Sequence, residues 1–106
     1  MKTGIELIAA ERERQITAEG WSDAHDDEHG QAEMNKAANA YLVAGYLTTV
    51  SGGHHHDDCP DYWPWDESWW KPSEDPIRNL VKAGALIAAE LDRLQRKQPT
   101  TPASHE

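Results

Sequence analysis

The chain reads as mainly α, with three principal helices packed in a small bundle and joined in part by a long, ordered Trp- and Pro-rich loop. Three observations predict this. Apolar residues recur at helical spacing over about 4–19, 31–50 and 76–97. Helix breakers stand at the borders of those segments: Gly20, the Gly52–Gly53 pair, and Asp75 followed by Pro76. Between the second and third segments, residues 51–75 hold three prolines, four tryptophans and seven acidic residues, too proline-broken for a regular helix and too aromatic for disorder. At 106 residues the chain has room for one domain, assigned to 1–97, with 98–106 as a polar, proline-broken, mobile tail.

The first helix places Ile5, Ile8, Ala9, Arg12 and Ile16 on one stripe, and Gly20 stops it with Trp21 folding back on its last turn. Ser22 to Gly30 has a single apolar residue and reads as loop or a short helical turn. The second helix carries Met34, Ala37, Ala38, Tyr41, Ala44 and Gly45, small residues that allow a neighbouring backbone to come close. The third starts at the Asp75 cap with Pro76 in its first turn. Its stripe is Ile77, Leu80, Val81, Gly84, Ile87, Ala88, Leu91 and Leu94, and Arg93, Arg96 and Lys97 suit the dipole at its end.

Composition narrows the function classes. Ten Lys and Arg against nineteen Asp and Glu leave a net charge of -9. That charge repels a phosphate backbone over a Debye length of about 8 Å, so direct nucleic-acid binding is disfavoured. It suits a divalent cation, a basic protein surface or simple solubility, and self-association is left open. One cysteine, Cys59, cannot form an intrachain disulfide and is a single thiolate where the usual zinc-finger sites need two or more. No apolar run approaches a membrane span or a secretory leader, so the expectation is a protein of the cytoplasm with no membrane partner.

Chemistry has two candidate clusters. In HDDEH, His25 and His29 are four residues apart and share a face if the segment turns helical, with Asp26 and Asp27 beside them. That spacing suits a metal held by His25, Asp26 and His29. Glu11 and Glu90 sit at the borders of the first and third stripes, where a charge needs a partner. Two readings follow. Glu11, Asp26, Asp27 and Glu90 converge as a catalytic carboxylate cradle for Mg²⁺ or Mn²⁺, or Glu11 and Glu90 pair with Arg12, Arg14, Arg78 or Arg93. The other cluster, HHHDDC at 54–59, follows two glycines, and three adjacent histidines cannot all reach one ion without strain. Trp63, Trp65, Trp69 and Trp70, with Lys71 beside them and Lys82 on the third helix, are the candidate binding residues; the alternative lays those indoles across the helices as a cover.

ERERQ at 11–15, EGW at 19–21, HDD at 25–27, WPW at 63–65, WWKP at 69–72 and LVKAGALIAAELDR at 80–93 together resemble a family of small, uncharacterised proteins of tailed phages and prophages. HHHDDC is not part of that pattern. The resemblance implies an accessory protein in the cytoplasm of an infected host. In architecture and acidic borders the chain is also similar to the all-α nucleotide pyrophosphohydrolases of the MazG type. Their E-x-x-E and E-x-x-D pairs are not reproduced by Glu11 and Glu13 or by Glu90 and Asp92. The leading expectation is a site handling a nucleotide or small phosphoester, with a metal activating water. The alternative is a non-enzymatic acidic protein that docks on and inhibits a basic host protein engaged in defence or nucleic-acid handling.

Overall fold

The structure, a computed structural model, describes residues 1–28, 32–50 and 58–97. Among the described residues, four α-helices make the body: α1 (Gly4–Ala18), α2 (Asp23–Glu28), α3 (Glu33–Val50) and α4 (Pro76–Lys97), with one 3-10 turn at Glu67–Trp69. The mainly helical class and the three principal helices agree with the sequence; α2 resolves the short turn as a real helix. The His29 position, the 54–57 part of the histidine cluster and the 98–106 tail lie outside the described residues.

Local chemistry sets the helix ends. Thr3 and Glu6 form a reciprocal capping box, Thr3 Oγ1 accepting from the Glu6 amide at 3.2 Å and the Thr3 amide donating to Glu6 Oε1 at 2.8 Å. Gly20 takes φ +74°, a left-handed conformation that costs glycine little, and the Trp21 amide then reaches back to the Gln15 carbonyl at 3.0 Å. Asp75 caps α4 as expected, its carboxylate accepting from the Ile77 amide at 2.9 Å.

α4 is the hub, packed most extensively on α3, next on α1 and least on α2. Close approach is possible because the facing residues are small: Ala37, Ala38, Ala40, Ala44 and Gly45 on α3, Ala83, Ala85 and Ala89 on α4. A Cβ at Gly45 would lie 2.6 Å from Leu80 Cδ2, and one at Gly84 would lie 2.6 Å from Ile8 Cδ1, so both glycines hold space that a neighbour fills.

The expected α3 stripe is buried in full. The other two stripes are not. On α1 the buried residues are Glu11 and Gln15, while Ile5 and Ile16 are exposed. On α4 Asn79, Val81, Ala83, Ala85, Leu86, Ala89, Glu90 and Arg93 are buried, and Ile77, Leu80, Ile87, Leu91 and Leu94 face outward. The physical reason is pairing: each inward charge is neutralised by a neighbour one turn away, so the inner face need not be the most apolar one.

Small helical residues leave volume that the loop supplies. Trp63 and Trp70 are buried with Tyr41, Leu86 and the alanines, with Trp21, Cys59 and Trp65 packed against them. Tyr41 lies 4.9 Å from Trp70 and 5.8 Å from Trp63, centroid to centroid, in tilted and edge-on contacts. Two of the polar edges are satisfied: Trp63 Nε1 donates to the Asp66 carbonyl at 3.0 Å, and Trp65 Nε1 to Glu33 Oε1 at 2.9 Å, whereas Trp70 Nε1 is buried without a hydrogen-bond partner. Buried Asn79 clasps the loop's end, accepting from the Ser73 amide and donating to the Ser73 carbonyl, both at 2.8 Å.

Candidate functional site

A cleft of about 400 Å³ opens between α1, the Trp loop and α4. This volume lies within the usual range for small-molecule sites. Its walls are aromatic, from Trp21, Tyr41, Trp63, Trp65 and Trp69. Trp69 is 46% exposed, unlike buried Trp63. Trp21 and Trp69 lie nearly parallel, 10° apart with centroids 6.4 Å apart.

The polar lining comes from α1 and from two lysines. Glu11 is buried and accepts from Arg14 Nε at 2.9 Å, Arg14 Nη2 at 3.0 Å, Arg78 Nη1 at 2.7 Å and Gln15 Nε2 at 3.4 Å. Burial alone would raise its pKa; the hydrogen bonds and charges of Arg14 and Arg78 outweigh burial and hold it below the ordinary value. Arg14 also reaches Glu19 at 2.9 Å, and its own pKa is raised, first by the bond to Glu11. Lys82 donates to the Lys71 carbonyl at 2.8 Å and stands 5.3 Å from the centre of the Tyr41 ring. Burial, then the nearby Arg78 charge, depresses the Lys82 pKa. Gln15 is buried, and its Oε1 has no hydrogen-bond partner.

Arg14, Lys71 and Lys82 outnumber Glu11 and Glu19 along this lining, although the chain as a whole is strongly acidic. Arg14 is bonded to both acids, so the cation charge set against the aromatic faces is that of Lys71 and Lys82.

Of the four carboxylates expected in a catalytic cradle, Glu11 alone lines the cleft. Asp26 is fully buried, held by Arg12 Nη2 at 2.7 Å with His25 Nδ1 3.2 Å from its other oxygen. Asp27 pairs with Arg96 at 2.8 Å, and Arg96 also meets Asp23 at 3.2 Å. Glu90 is buried against Arg93, with bonds of 2.7 and 3.0 Å. The HDD segment thus latches α2 onto α1 through Asp26 and onto α4 through Asp27, while His25 stacks on Trp21 with centroids 5.3 Å apart. These residues do not fit Mg²⁺ or Mn²⁺ as one donor set, because each carboxylate is bonded to a different guanidinium group. Among the described residues, no group of three His, Cys, Asp or Glu could hold a metal ion.

Five of the six expected binding residues, Trp63, Trp65, Trp69, Lys71 and Lys82, line the cleft; Trp70 lies in the core cluster and is not part of the lining. Sequence reasoning missed Gln15, Glu19 and Tyr41 as lining residues, and took Trp21 only as a helix-end plug. The signal for Gln15 was its position one turn after Glu11 in ERERQ, which puts both on one helix face.

No family model matches the chain, and neither a curated protein nor a solved structure matches it. Among the described residues, no helix is long and apolar enough to cross a membrane.

Proposed function

We propose that the cleft binds a nucleotide or a related aromatic phosphoester. The observation that carries this reading is the joining, in one cleft, of indole walls with Arg14, Lys71 and Lys82. A nucleobase has a π-face for Trp69 and Trp21, and such stacking contributes about 1–3 kcal/mol per base. Its phosphate calls for cations in a partly desolvated setting, which Lys82 and Lys71 supply.

The reading is one of recognition. Glu11, the buried carboxylate in the cleft, is held by two guanidinium groups and has a lowered pKa, a poor state for accepting a proton from water. In the setting implied by the phage resemblance, the chain would be an accessory protein that captures a nucleotide in the infected host.

The test is titration of intrinsic Trp fluorescence with nucleoside mono-, di- and triphosphates, the matching nucleosides, and inorganic phosphate. Saturable quenching by nucleotides, stronger than by nucleosides and weakened by Trp69→Ala and by Lys82→Met, is expected. Equal binding of nucleosides and nucleotides, or no saturable response to any of them, overturns the reading.

A further inference from the structure

Every arginine of the chain has a carboxylate partner: Arg12 has Asp26, Arg14 and Arg78 share Glu11, Arg93 has Glu90 and Arg96 has Asp27. Among the described residues Lys82 has none, although it is the lysine that is partly buried; Lys2, Lys36, Lys71 and Lys97 are exposed. Its ammonium donates to the Lys71 carbonyl at 2.8 Å and stands 5.3 Å from the centre of the Tyr41 ring. An ammonium has three donors, so that bond leaves two N–H groups for the cleft.

The surroundings of Lys82 are cationic. Burial lowers its pKa first, then the Arg78 charge, with Arg14 and Lys71 acting in the same direction. Glu11 opposes them, but Arg14 and Arg78 already hold that carboxylate at 2.9 and 2.7 Å. In a chain with nineteen acidic residues, a partly buried cation beside three others lacks a counter-ion.

We infer that the counter-ion is one phosphomonoester group, so that the ligand of the cleft is a free nucleoside monophosphate; this rests on the nucleotide reading above and narrows it. Arg14 and Arg78 are balanced by Glu11 and Glu19, which leaves Lys71 and Lys82 as the charges open to a ligand. A phosphomonoester carries about -1.5 to -2 at neutral pH, which two ammonium groups match. A diester carries a single charge and leaves one ammonium unmatched. Each further phosphate of a di- or triphosphate adds negative charge that no other lysine of the lining meets, in the field of a chain of net charge -9. The backbone of an oligonucleotide would meet the same field.

Isothermal titration calorimetry on the whole chain tests this with charge ladders: nucleoside, cyclic monophosphate, 5′-mono-, di- and triphosphate, for each of the four nucleobases. In the series that binds, the monophosphate is expected to bind at least about tenfold more tightly than the nucleoside, through charge-assisted hydrogen bonds. The cyclic diester and the triphosphate should each be weaker than the monophosphate by about threefold or more. Lys82→Met is expected to bring the monophosphate close to the nucleoside. Lys71→Met, at an exposed position that leaves the packing untouched, should weaken the monophosphate by about threefold and the nucleoside not at all. A 5′-phosphorylated tetranucleotide should not compete. Saturable binding in which the triphosphate equals or exceeds the monophosphate overturns this inference and leaves the nucleotide reading standing, as does a tetranucleotide that competes as well as the monophosphate or a Lys71→Met protein with unchanged affinity. No binding in any ladder, or nucleosides equal to nucleotides, overturns both.

Discussion

Glu11→Gln removes the charge around which the α1 side of the cleft is organised while nearly preserving volume. The carboxylate accepts two bonds from Arg14, one from Arg78 and a longer one from Gln15. An amide keeps one acceptor oxygen and turns the other into a donor aimed at donors. Neutralising one partner of a buried pair costs about 3–5 kcal/mol. The Arg14 and Arg78 side chains are 42% and 36% exposed, so water replaces part of what they lose, and about 2–3 kcal/mol is the expected loss. In a domain of this size that lowers Tm by roughly 8–20 °C. The pH dependence gives an independent check. With the folded pKa of Glu11 below its ordinary 4.5, the unfolded chain takes up the proton first on acidification. The contribution to stability is complete above about 4.5 and is lost as pH falls from there through the folded pKa. Urea unfolding followed by Trp fluorescence, at neutral pH and in steps below 4.5, should show parent and Glu11→Gln converging with acid. Equal midpoints at neutral pH, or parallel acid losses in the two proteins, would refute the reasoning.

Trp63→Ala and Trp70→Ala, which empty buried aromatic positions, should each lose about 3–5 kcal/mol in chemical denaturation, whereas Trp69→Ala should melt within about 1 kcal/mol of the parent. Glu90→Gln strands the buried Arg93 and should destabilise by about 3–5 kcal/mol, while nucleotide affinity of the folded fraction stays unchanged because Glu90 is not in the cleft. Ala32 has a positive φ, +73°; Ala32→Gly should raise the melting temperature, with a gain of about 0.5–1 kcal/mol.

Helix number, the α3 face and the Asp75 start were legible because each rests on a local rule: period, small-residue spacing, a capping carboxylate. The inner faces of α1 and α4 were not, because hydrophobic spacing assumes that the most apolar arc turns inward. In α4 the aliphatic arc from Ile77 to Leu94 turns outward, and Asn79, Glu90 and Arg93 are buried on the other side. The partners that permit this were visible three residues on, as Glu11 with Arg14 and Glu90 with Arg93. What the spacing could not tell was whether such pairs sit in solvent or inside, since that depends on which element covers them.

The aromatic loop decides that question for Glu11. Because α3 and α4 meet through alanine and glycine, their packed surfaces lack the bulk to close a core, and Trp63 and Trp70 fill the space beside Tyr41. Once those two indoles are fixed, Trp65, Trp69 and Lys71 are carried to the edge of α1, where Trp21 follows the Gly20 turn. The cleft is therefore a product of how the core is completed: along WPWDESWWK, Trp70 is buried in the core, Trp65, Trp69 and Lys71 line the open side, and Trp63 does both. A change on the buried set should act through stability, and a change on the open set through binding. This separation is why the adjacent Trp69 and Trp70 are assigned different work.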